Sequence, residues 1–162
     1  MLHDIQLSCL CSLKPAASGG AVARRGVDAT SRFLANIKKA GHHDSVVPMV
    51  TTSIVGFKVI FELVEQKRLS KLPDVIYLDS AHEMDETFIE LIVAWKTLKP
   101  GGVLFGDDWN WKAVEHDVSR FASLHNKTLD IERMASIHAL NPNCNLVGVV
   151  TLCDLQWILV KR

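Results

Sequence analysis

Val75-Ile76-Tyr77-Leu78-Asp79 and Val103-Leu104-Phe105-Gly106-Asp107-Asp108 decide how this chain folds. Each is an unbroken apolar run that ends in acid. A strand with one wet face alternates apolar and polar residues, whereas a strand covered on both faces does not. Between the two runs Phe88, Leu91, Ile92, Trp95 and Leu98 recur at helical spacing and give a helix one apolar stripe. Ser80-x-x-Glu83 reads as a capping box at the start of that helix. Lys96 and Lys99 suit its negative C-terminal end, and Pro100-Gly101-Gly102 stops it. Strand, helix and strand make one crossover, so Asp79 and the Asp107-Asp108 pair are expected at the same edge of a parallel sheet.

The pattern extends outward from this unit. Upstream, Phe57, Ile60, Phe61 and Val64 mark a helix over about 54–68, and Val46-Val47-Pro48-Met49-Val50 reads as a short strand that Pro48 pushes to an edge. Before it, Asp28 or Thr30 can cap a helix carrying Phe33, Leu34 and Ile37, stopped at Gly41. Downstream, Val114, Val118, Phe121, Ala122 and His125 share one face of a helix over about 111–126. The remainder, Leu129 to Met134 and Leu146 to Val160, reads as strands around a polar turn at Asn141-Pro142-Asn143. The expected fold is α/β, a doubly wound and mostly parallel sheet with an antiparallel hairpin at the C-terminal end. Residues 1–27 are expected as a loosely structured leader and residues 28–162 as the α/β domain.

Composition excludes several classes of function. Of 162 residues, Lys plus Arg number 18 and Asp plus Glu number 18, so the formal net charge is zero. Such a chain has no basic excess to hold a phosphate backbone or an anionic membrane surface. Its richest apolar stretch, Leu146 to Val160, is broken by Asp154 and Gln156, far short of the ~20 residues of a membrane span. Cys9, Cys11, Cys144 and Cys153 show no zinc-site spacing. They are expected to be reduced and mostly buried, which points to an intracellular, cytoplasmic protein. The acid-free stretch 5–27, with Arg24-Arg25, has a faint likeness to an organelle-targeting leader.

Three carboxylates converging at one sheet edge repel one another unless protons or a cation neutralise them. All-oxygen ligands suit a hard divalent ion such as Mg²⁺, so Asp79, Asp107 and Asp108 are candidate metal ligands. The bland alternative is that Asp79 and Asp108 only cap the helices that follow. His82 is a candidate general base, since imidazole titrates near neutrality, or else a first-turn residue bonded to a carboxylate. Trp109 and Trp111 flank the acidic pair and are candidate pocket walls or simple packing residues.

These residues carry a resemblance. Asp74 to His82, then Trp95-x-x-Leu98-Lys99-Pro100-Gly101-Gly102, then Gly106-Asp107-Asp108-Trp109 resembles the class I S-adenosylmethionine-dependent methyltransferases. Within them it is most similar to the small-molecule O-methyltransferases that include the catechol and macrocin enzymes. The resemblance implies a Rossmann-like methyltransferase fold, S-adenosylmethionine as cofactor, and a Mg²⁺ or similar ion at Asp79, Asp107 and Asp108 that orients a small-molecule acceptor hydroxyl. It also implies a cofactor-side role for Asp79 and for Thr52 and Ser53, which otherwise read as a helix N-cap. No nucleic-acid or membrane partner is implied.

The chain departs from that family at its start. The first strand with its glycine-rich turn, and the second strand with its acidic end, are not visible before Phe33. Gly19-Gly20 is the one glycine pair ahead of Gly41. The expectation is therefore of an N-terminally truncated domain with weakened cofactor binding and apolar faces that invite homo-oligomerisation. Two further readings stand beside metal-assisted O-methylation. One is a non-catalytic remnant of the fold that acts as a binding or interaction module. The other is a metal-dependent hydrolase or phosphotransfer domain, which the lack of a nucleophile-plus-phosphate-loop pattern such as Gly-x-x-x-x-Gly-Lys disfavours.

Overall fold

The computed structural model describes residues 22–79 and 82–162, with side chains from residue 31 onward. In chain order the elements are α1 (Val22–Lys39), α2 (Ser53–Glu65), β1 (Val75–Leu78), α3 (Glu86–Thr97), β2 (Val103–Gly106), α4 (Lys112–Leu124), α5 (Ile131–Leu140), β3 (Cys144–Val147), β4 (Val150–Cys153) and β5 (Gln156–Val160). The strands form one sheet in the order β1-β2-β5-β4-β3. β1 and β2 run parallel, Ile76 beside Leu104 and Leu78 beside Gly106. β5, β4 and β3 are added antiparallel.

Register explains how the core divides. Leu78, Gly106, Trp157 and Leu152 lie across from one another and share one face. α3 and α4 cover that face, with Leu91, Leu98, Val118 and Phe121 fully buried. Trp95 and Phe121 meet edge to face at 5.5 Å between ring centroids. The opposite face carries Thr151, whose hydroxyl donates to the Met134 carbonyl of α5, so α5 covers the C-terminal side from behind. Helices on both faces of one sheet give the α/β architecture, and its C-terminal hairpin is the expected one. Among the described strands parallel pairing is confined to β1 and β2. The short turns joining β3, β4 and β5 leave no room for a crossover, so those strands must reverse.

Several local expectations give way. Residues 46–50 form no strand: Pro48 has no N–H to give a ladder, and Val47 and Val50 are exposed. Leu129 to Met134 is not a strand either. Leu129 makes a single bridge to Lys161, and Asp130 then caps α5 by accepting from the Arg133 N–H at 3.1 Å. The short apolar content of that stretch hid an Asp N-cap followed by a helix. α1 begins at Val22, so Asp28 and Thr30 lie inside it and do not cap it, and it runs across the boundary expected at residue 28. Cys144 and Cys153 face each other in the β3·β4 ladder and form a disulfide, against the reading of them as reduced. The Cys144 N–H donates to Asn141, not to its ladder partner, so the two residues form a close pair with Cα atoms 4.0 Å apart. This bond removes the cysteine argument for an intracellular location. Cys9 and Cys11, the glycine pair and the rest of the acid-free stretch up to residue 21 lie outside the described residues. No helix among the described residues is long and apolar enough to cross a membrane.

Candidate active site

The parallel register of β1 and β2 puts the residues after Leu78 and Gly106 at one edge of the sheet. Asp79, Asp107 and Asp108 each offer a carboxylate oxygen there, and these oxygens lie within 4.8 Å of one another. All three residues are half-buried. The expectation that the two acidic strand ends converge is met. The capping alternative is not, because the residue before α3 is Asp85 and the residue before α4 is Trp111. Neither Asp79 nor Asp108 caps a helix.

Other side chains hold the cluster. The Tyr77 hydroxyl donates to Asp107 Oδ2 at 2.9 Å, and Trp157 Nε1 donates to the Asp107 carbonyl at 3.1 Å. His82 Nε2 lies 2.6 Å from Asp108 Oδ2, within hydrogen-bond distance. Asp108 has a left-handed backbone, φ 56. That region costs a non-glycine residue ~1–2 kcal/mol, and Asp and Asn tolerate it best. Gly106 has no alternative, because a Cβ there would collide with the Trp157 ring and the Leu78 carbonyl.

The pocket around the carboxylates is lined by Leu78, His82, Thr87, Glu90, Val114 and Trp157. Thr87 and Glu90 are buried on the first turns of α3. Sequence reasoning passed over both, although an acid flanked by Ile89 and Leu91 on an apolar stripe was a usable signal. Tyr77 was a second missed signal, being the lone polar-tipped residue of its strand. Trp157 had none, since only the sheet brings it to Asp107. The helix start itself is arranged differently from the expected capping box, whose Ser80 lies outside the described residues. α3 begins at Glu86, and Asp85 is left-handed with no side-chain cap bond. The fully buried Asp117 of α4 supplies the cap instead, accepting from the Phe88 N–H at 3.1 Å. Arg120 of α4 holds Asp85 at 2.8 Å. Together they fix the end of α3 that carries Thr87 and Glu90.

Trp111 is half exposed with its ring 4.8 Å from that of His82, whereas Trp109 packs against the core. Thr52 precedes α2 without a side-chain cap bond and Ser53 is buried at its first turn. Neither is among the residues lining the carboxylate pocket. The structure therefore brings together Asp79, His82, Asp107 and Asp108, and leaves Thr52 and Ser53 outside that pocket.

A carboxylate cluster beyond the carboxyl ends of parallel strands is the ligand-site layout of an open α/β sheet. The Methyltransferase domain family matches residues 7–109, and the chain belongs to that family. The match includes β1, β2 and all three clustered aspartates, and it begins inside the stretch expected as a leader. No curated protein matches the chain. Among solved structures, an O-methyltransferase from Bacillus cereus in complex with SAH is similar, at 16% identity and a TM-score of 0.47. The alignment covers 79% of this chain and 55% of that one, so the chain spans about half the length of that relative.

Proposed function

We propose that this chain is the metal-binding part of an S-adenosylmethionine-dependent methyltransferase that O-methylates a small molecule. The observation that carries the reading is the convergence of Asp79, Asp107 and Asp108 in a chain of the Methyltransferase domain family. The donor set fits the group: oxygen-only, anionic, half-buried ligands suit a hard divalent cation such as Mg²⁺. Bound there, a cation lowers the pKa of a coordinated hydroxyl, and S-adenosylmethionine contributes an electrophilic methyl group.

The chain's own residues would do the rest. Asp79, Asp107 and Asp108 would hold the cation, and Tyr77 would keep the Asp107 carboxylate turned toward it. His82 would accept the acceptor's hydroxyl proton at Nε2, the nitrogen that now faces Asp108. Trp111 beside His82 would wall the acceptor and limit water. Thr52, Ser53 and Asp79 are proposed on the adenosyl side.

Titration with Mn²⁺ tests the metal site, and equilibrium dialysis against labelled S-adenosylmethionine tests the cofactor. Saturable Mn²⁺ binding in wild type that weakens in Asp107→Asn supports the reading. Identical Mn²⁺ binding in the two proteins overturns the metal site. Cofactor binding without transfer to any hydroxyl acceptor would leave the non-catalytic binding module as the better description.

A further inference from the structure

Asp108 sits in a left-handed backbone conformation, held from within its loop by the Trp111 N–H on its carbonyl at 2.9 Å and from outside it by the sheet. Two hydrogen bonds straddle Asp108, and both come from the β4–β5 hairpin. On one side Trp157 Nε1 donates to the carbonyl of Asp107 at 3.1 Å. On the other the Trp109 N–H donates to the carbonyl of Leu155 at 3.1 Å. The peptide groups on either side of Asp108 are thus pinned to two residues of one turn and strand. The Trp157 side chain is almost wholly buried, and its ring occupies the space left by the missing Cβ of Gly106. A buried indole N–H needs an acceptor, and here the acceptor is the backbone of a candidate metal ligand.

We infer that Trp157 is a positioning residue, and that with the Leu155 carbonyl it clamps Asp107 and Asp108 in the geometry that binds a cation. The inference rests on the cation site proposed above. Neither residue offers a carboxylate to the cluster, and both reach it through the backbone of the 107–109 segment. The hairpin acts by fixing where the two carboxylates point, as outer partners of metal ligands do elsewhere. The C-terminal hairpin then has a task in the site although it contributes no carboxylate to it.

Mn²⁺ titration of the full chain carrying Trp157→Phe tests this. Phenylalanine keeps an aromatic ring on β5 and removes the donor together with part of the indole's volume, a packing loss that the control variant also carries. Binding is expected to weaken by about tenfold or more, the usual cost of losing an outer partner. Leu159→Ala is the control, because Leu159 is fully buried on the same strand and bonds to neither aspartate by its side chain. It should lower the unfolding midpoint at least as much and leave Mn²⁺ affinity unchanged. Wild-type affinity in Trp157→Phe overturns the inference, and so does equal weakening in both variants.

Hydrogen exchange in the metal-free protein separates this inference from the cation reading and needs no binding. Trp157→Phe should speed exchange of the Trp109 amide, and Leu159→Ala should not. Unchanged Trp109 exchange in Trp157→Phe overturns the clamp whatever the metal does. Should Trp157→Phe fail to fold, exchange of the wild-type Trp157 indole N–H decides. Slow exchange in step with the Trp109 amide supports the clamp, and fast exchange overturns it.

Discussion

The two edges of the sheet treat charge in opposite ways. At the carboxyl edge of β1 and β2 three aspartates crowd together, with buried Glu90 lining the same pocket. At the other edge charges meet partners of opposite sign or helix ends. Asp74, just before β1, is bracketed by Lys99 and by Lys71 at 3.1 Å. Lys161, just after β5, donates to the Trp95 and Leu98 carbonyls at the end of α3 at 2.7 and 2.6 Å. Arg133 reaches the Gly101 carbonyl at 2.6 Å. The same sheet, the same solvent and similar exposure therefore produce repulsion at one edge and pairing at the other. Pairing is what stability alone favours. Like charge gathered at one edge is the arrangement that a cationic ligand would complete.

The difference can be broken from either side. The largest effect is expected in cation binding: Asp107→Asn should weaken Mn²⁺ affinity at least about tenfold, or ~1.4 kcal/mol. Asp74→Asn should leave it unchanged, and isothermal titration reads both. If the two variants behave alike, the two edges are not functionally distinct. On the stability side, removing the disulfide with Cys144→Ser and Cys153→Ser should cost about 2–3 kcal/mol, from the chain entropy of a short loop. Urea unfolding at neutral pH checks it, and an unchanged midpoint would show that the hairpin is held by its ladder alone.

Lys161→Met should cost less, about 1–2 kcal/mol, since the two carbonyls at the end of α3 lose their shared donor. Its Mn²⁺ affinity should match wild type, which ties this edge to stability only. Burial pushes the Lys161 amine below its usual pKa, so part of the gain from the two bonds already offsets desolvation.

The smallest effects appear with pH. His125 stacks on Phe121 with ring centroids 4.3 Å apart, and burial pushes its pKa below the usual 6.5. The unfolded chain therefore takes up the proton first as pH falls. Stability should decline from about pH 6.5 down to the folded pKa and then level off. Denaturant midpoints should lose that decline in His125→Gln. Asp74 has the opposite origin: hydrogen bonds from Lys99 and then Lys71 hold its carboxyl below 3.8. Its contribution is present above pH 3.8 and disappears as pH falls through the folded value. Asp74→Asn should remove that acid-side step.

Much of the site edge was legible because its signals are local. An apolar run ending in acid, a helical stripe and a second such run lie within residues 75–108, and each states its own structure. The C-terminal part was harder. Leu129 to Met134 looks strand-like until Asp130 is recognised as an N-cap, and the cysteine pair is nine residues apart with no local mark of its partner. Thr52 and Ser53 were assigned to the cofactor side by the resemblance alone; one precedes and the other opens a helix that does not line the carboxylate pocket.

By itself the sequence determined that β1 and β2 run parallel in one sheet, joined by a helix, and hence that Asp79, Asp107 and Asp108 share an edge. That the two strands are direct neighbours was decided by the structure. Periodicity and crossover rules depend only on residues near one another in the chain. Tertiary structure alone decided what surrounds those acids. Trp157 meets Asp107 across fifty residues, Asp117 caps α3 from another helix, and Cys144 finds Cys153 through strand register. Such contacts arise when the antiparallel hairpin docks beside β2, and no local pattern records where a buried N–H or carboxylate will find its partner.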